Sequence, residues 1–241
     1  MKNLKLIVLA LCALVVFDGC QNASNTTKGT AIGAGGGAAL GALAGYLIGG
    51  RSGAGTAIGA AIGTAVGAGT GYLVGKKMDK AKAAAEQVAN AKVETVQDAN
   101  GLQAVKVTFD SGILFNTGSS ALSPSAQGSL ISFANNVLKQ NPDMDCAIQG
   151  YTDNQGWKGS SAAESVQKNQ ALSLQRAQAV STYLINQGVS SSQIKSVEGL
   201  GEANPVADNS TAAGKQQNRR VEVYLYASKA MIDAANAGTL Q

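Results

Sequence analysis

Residues 123–151, SPSAQGSLISFANNVLKQNPDMDCAIQGY, change period once and so set the fold class. Ser123 precedes Pro124, which pairs a side-chain cap with a proline at the first helical position, where the missing N–H is no loss. Leu130, Phe133, Ala134 and Val137 then share one helical face, and the run stops before Pro142. CAIQGY, residues 146–151, is an apolar run of strand length. Upstream, LQAVKVTF from Leu102 alternates as a strand does, and GILF is expected to extend it before the loop NTGSSAL. Downstream, NQALSLQRAQAVSTYLINQGV predicts a second helix with Leu172, Ala179, Val180 and Tyr183 inward and Gly188 at its end. IKSVEGLG and RRVEVYLY supply two last strands. The order βαβαββ with short connections predicts an α+β two-layer sandwich over residues 102–226, with two helices on one face of a mixed sheet and a C-terminal tail at 227–241.

The chain opens differently. MKNLK followed by LIVLALCALVVF is a positive n-region and an apolar run too short to span a bilayer, so residues 1–19 read as a signal peptide. DGC then places Cys20 before the polar run QNASNTTKG, which fills residues 20–30. In residues 31–75 glycines fall at 33, 37, 41, 45 and 49, and again at 55, 59, 63, 67, 71 and 75. A spacing of four puts them on one helical face, and RSGAG between the runs is a turn, so a helical hairpin is expected. Five or six glycines per helix cost on the order of 5 kcal/mol against alanine. Close packing of the small-residue faces recovers that loss in lipid or in an oligomer. The arms, about 28–30 Å long, match a hydrocarbon core, with Lys28, Lys76 and Lys77 at one interface and Arg51 at the far tip. Insertion and a water-exposed hairpin packed on other copies both remain open. Residues 76–101, rich in Ala, Lys, Glu and Gln, are expected to form a helical spacer of roughly 35 Å.

Composition narrows the function. A net charge of +4 is too weak and dispersed to argue for nucleic acid. The chain has no histidine, and of its three cysteines only Cys146 remains if Cys12 leaves with the leader and Cys20 is modified. A lone thiol makes no internal bridge, and in CAIQGY it reads as a small hydrophobe, not a nucleophile. No metal cluster, nucleophile–base pair or phosphate loop is present in the sequence, so neither a cofactor nor catalysis is expected. GYTDNQG, residues 150–156, puts Asp153 where a strand runs out into a polar loop. Asp at such a place ordinarily caps the turn by bonding its own backbone.

GYTDNQG, NQALSLQRAQAV, YLINQGVSSSQI and VEGLGEANPVADNSTAAGKQQNRRVEVYL resemble, in this order, the OmpA-like peptidoglycan-binding domain. The resemblance covers about residues 102–226. DGC likewise resembles a bacterial lipoprotein signal, although Phe17 and Asp18 depart from its usual residues, and it implies a lipid on Cys20 and an outer-membrane address. Together these imply a lipid-anchored protein whose periplasmic domain grips peptidoglycan without cutting it. The competing expectation is a self-associating or membrane-inserting glycine zipper that the wall domain merely anchors.

The resemblance also implies the site. Asp153 of the Thr152-Asp153 pair and Arg176 of LSLQR would hold the free zwitterionic end of diaminopimelate, the ammonium on the carboxylate and the carboxylate on the guanidinium. Asn169 would bond the ligand or brace the loop. Phe115 and Asn116 stand where the family often has Phe-Asp. In NRRVE, Arg219 and Arg220 face opposite ways as strand residues, and Arg220 is the one expected to support the site. The loop 154–168 is longer than the compact family version and carries the only tryptophan, Trp157, and Tyr151 replaces a common histidine.

Overall fold

The computed structural model describes residues 68–97 and 102–240. The expected leader, Cys20, the polar run and the hairpin as far as residue 67 lie outside the described residues. A long helix comes first, α1 (Ala68–Ala85), and two strands follow, β1 (Ala91–Gln97) and β2 (Gln103–Asp110). Next come a short α2 (Ser111–Leu114), then α3 (Pro124–Phe133), which runs on as a π-helical turn (Ala134–Leu138), and β3 (Met144–Gly150). The second half is α4 (Ala162–Asn186), β4 (Ile194–Gly199), α5 (Ala212–Asn218), β5 (Arg220–Ala227) and α6 (Lys229–Asn236).

The strands form one mixed sheet in the order β1-β2-β5-β3-β4, with β3 and β4 parallel and the other neighbours antiparallel. Val107, Phe109, Ile148, Val223 and Leu225 of the sheet share one core with Leu130, Phe133, Val180 and Leu184 of the helices. Phe109 and Phe133 meet edge to face at 5.6 Å. The α+β sandwich expected from the sequence is therefore present, and the cap at Ser123 forms, its hydroxyl accepting from Ala126 N at 3.0 Å.

Its borders differ from the expectation. Residues 76–97 of the expected spacer are not one continuous helix. The helix stops at Ala85, Asn90 takes a left-handed φ of 62°, and residues 91–97 become the edge strand. The β-branched run VETV pairs Val93 with Val107 and Thr95 with Val105, so pairing overrides a composition that favours helix. Nor does α1 hold the domain at a distance. Val74, Met78, Ala81 and Ala85 are buried in the domain core, Lys77 is ion-paired with Asp143, and Thr70 bonds Asn236 of α6.

Two further consequences follow. Thr70 and Val74 of the expected second hairpin arm are buried against protein while Tyr72 is exposed, and Lys77 is engaged with Asp143. No helix among the described residues is long and apolar enough to cross a membrane. The tail at 227–241 is also part of the unit, since Met231 and Ile232 of α6 are buried in the same core.

GILF does not prolong β2. Asp110 caps a short helix there by accepting from Gly112 N at 2.6 Å. The second long helix begins at Ala162, not 169, behind a capping box of Ser161 and Glu164. Its inward face is Ser173, Ala177, Val180 and Leu184, while Ala179 and Tyr183 sit at the edge of the core. The physical reason is contact distance: a Cβ on Gly150 would lie 2.1 Å from Ser173 O, and one on Gly199 would lie 2.2 Å from Leu174 N. The helix touches the sheet backbone to backbone, which glycine at 150 and 199 permits.

Candidate functional site

The close approach at Gly150 and Gly199 sets where Arg176 stands, one turn further along α4. Its Nε donates to Ser119 O at 3.0 Å and its Nη2 to Asn116 O at 3.4 Å. Both carbonyls face it because the loop turns back on itself, with Ser119 N donating to Asn116 O and Gly118 at a φ of +69° that few other residues adopt. The Phe115 ring closes a further side, 5.2 Å from the guanidinium carbon. Arg176 is 3 % exposed. Burial first, and then the nearby Arg219, lower its pKa to about 10, while Asp153 acts in the opposite direction. No carboxylate among the described residues forms an ion pair with it.

Asp153 has two attachments. Its Oδ1 accepts from Gln155 N at 3.0 Å, the ordinary turn cap, and its Oδ2 accepts from Arg219 Nη1 at 2.5 Å. Beside it Thr152 N donates to Gly201 O at 2.7 Å, whereas the Thr152 hydroxyl is buried with no partner among the described residues. Asp153, Arg176 and Arg219 thus make a cluster of one anion and two cations.

Arg220 is elsewhere. It shares parity with Glu222 and Tyr224, on the sheet face away from α4. There its Nε donates to Glu222 Oε1 at 2.7 Å, and its other nitrogens donate to Asn218 O and Asn204 O. The guanidinium stacks 3.7 Å over the Tyr151 ring. Tyr151 therefore belongs to this network, and Tyr224 donates to the second oxygen of Glu222 at 2.5 Å. Arg219, not Arg220, is the arginine beside Asp153. The alternation of VEVYLY contained the signal: Val221 and Val223 face the helices, so residue 219 lies on the side of α4 and residue 220 does not.

The remaining expected residues divide. Asn169 is buried and braces the loop, donating to Asp153 O and Gln155 O while its Oδ1 accepts from Trp157 Nε1 at 2.8 Å. Trp157 also donates its backbone N–H to Ser165 Oγ at 3.0 Å, so the indole pins the loop onto α4. Much of the long loop is thus helix, and S-x-x-E at 161–164 was the available sign. Asn116 gives the site its carbonyl and leaves its side chain exposed. Cys146 is buried, its thiol pushed up to about 12 by burial, which suits a packing residue.

Comparison with known proteins bears on both parts of the chain. Residues 114–219 match the OmpA family, and residues 1–79 match the YMGG-like Gly-zipper. The chain is similar to the probable lipoprotein YiaD of Escherichia coli, 41% identical over 119 residues, which is 49% of this chain and 50% of that one. It is also similar to the peptidoglycan-binding protein ArfA of Mycobacterium bovis, 38% identical over 120 residues, or 50% of this chain and 34% of that one. It thus spans half or less of the length of these relatives. The cell wall anchor of the T6SS from Pseudomonas aeruginosa shares the fold, with a TM-score of 0.50 at 24% identity over 63% of this chain and 97% of that one. The buried arginine and the Thr-Asp turn therefore lie within residues 114–219, the part of the chain that matches the OmpA family, and residues 1–79 are similar to the YMGG-like Gly-zipper.

Proposed function

We propose that this protein binds peptidoglycan non-covalently through the diaminopimelate of the stem peptide and tethers the outer membrane to the wall. The observation that supports it most directly is Arg176. A buried guanidinium bonded to two carbonyls and a ring, with no carboxylate of its own, carries charge that a ligand carboxylate offsets. Asp153 supplies the complementary anion for the ligand ammonium, and Arg219 exchanges part of its hold on Asp153 for the same ligand carboxylate. The unpartnered Thr152 hydroxyl lies beside them. Binding by ArfA, as its name states, agrees with this reading.

On this reading the domain holds the wall polymer without cutting it. Cys20 carries the lipid that holds the other end at the outer membrane, in keeping with the likeness to a probable lipoprotein.

The test is co-sedimentation of the detergent-solubilised full-length protein with purified diaminopimelate-type sacculi. The parent pellets with sacculi, and Asp153→Ala and Arg176→Ala remain in the supernatant while keeping cooperative unfolding. A folded parent that stays in solution refutes the reading.

A further inference from the structure

A second concavity continues from the Arg176 site along the outer side of α4. The turn that binds Arg176 through Asn116 O and Ser119 O runs on into Ser120, Ala121 and Leu122, and these form one side of a shallow, open cleft. The opposite wall is α4 from Gln175 to Asn186, a length of about 16 Å at 1.5 Å per residue.

The chemistry of this lining differs from that of the Asp153 cluster. Not one charged side chain lines it. Gln175, Gln178 and Asn186 present amides, each able to donate and to accept at once. Thr182 adds a hydroxyl, Tyr183 a half-buried ring with a polar tip, and Leu122 a small apolar patch. A charged peptide end gains nothing from such a surface. A neutral ligand with many hydroxyls, an acetamido group and one apolar ring face matches each of these groups.

Resting on the proposed binding of the wall peptide at Asp153 and Arg176, we infer that this cleft is a subsite for the N-acetylated amino sugars of the glycan strand. In the wall polymer the sugar that bears the peptide has its own carboxyl in amide linkage, so the adjoining glycan is uncharged. It is the part of the ligand that a cleft without charge can hold. The domain then reads both parts of the polymer, the zwitterion at the charged cluster and the sugar in the neutral cleft.

The experiment compares two soluble ligands on the full-length protein by calorimetry: a diaminopimelate tetrapeptide, and the same tetrapeptide carrying its disaccharide. The parent binds the disaccharide form about tenfold more tightly. Thr182→Trp, at an exposed position that fills the cleft, removes that gain and leaves tetrapeptide affinity unchanged, and Gln178→Ala reduces the gain. Melting curves confirm that both variants fold. Equal affinity of the parent for the two ligands, or a gain that survives Thr182→Trp, overturns the subsite. Failure of the parent to bind the bare tetrapeptide overturns instead the reading of Asp153 and Arg176, and the subsite with it.

Discussion

Two arginine–carboxylate pairs stand back to back where β5 begins. Arg220 and Glu222 are 4 % exposed at their side chains, and every nitrogen of Arg220 has an acceptor. In the other pair, Arg219 keeps 34 % of its side chain exposed against 7 % for Asp153. The chemistry is the same and the freedom is not. A saturated, dry pair fixes a strand against its loop, and any exchange of partners leaves a buried charge unpaired. A half-open pair can trade one partner for a ligand at small cost, which suits a binding site.

The contrast fails most visibly if Arg220→Ala is harmless. Losing it strands Glu222 in the sheet, so urea unfolding should report a loss of about 3–5 kcal/mol. Next comes the close approach that places Arg176. Gly150→Ala puts a Cβ against Ser173 O, and about 2–3 kcal/mol of stability should go together with part of the affinity for sacculi. A buried neutral group provides a reference for both charged pairs. Folding holds the Cys146 proton beyond its ordinary 9.0 to about 12, so the folded state binds more protons than the unfolded chain in that window. Stability from this group is complete below pH 9 and falls as pH rises toward 12. Cys146→Ala should therefore flatten the alkaline limb relative to the parent in pH-dependent melts. The smallest stability change belongs to Arg219→Ala, at most about 1 kcal/mol. Sacculus affinity should nevertheless drop several-fold, and the ratio of binding loss to stability loss separates it from Arg220→Ala.

Much of this was legible beforehand. The Ser123-Pro124 start and the strand at 146–150 depend on spacing within a few residues, which local rules capture, whereas Asp153 and Arg176 stood out only through the resemblance of their motifs. Other features were visible but outvoted. Asn90 and the β-branched VETV announced a turn and a strand inside an Ala- and Lys-rich stretch, and Ser161 with Glu164 announced an earlier start to α4. Arg219 was hidden by the choice of parity, which needs the sheet's buried face to be assigned first.

Sequence alone determined the α+β class and the succession of β2, β3, β4 and β5 along the chain, because helix caps and period are properties of neighbouring residues. Only the tertiary structure decided that α1 and α6 complete the core, that Arg176 is buried by carbonyls 57 and 60 residues away, and which of two adjacent arginines meets Asp153. Those outcomes turn on which backbones can approach each other, as at Gly150 and Ser173, and on which strand edge is left to be paired. Both are facts about distance between segments far apart in the chain.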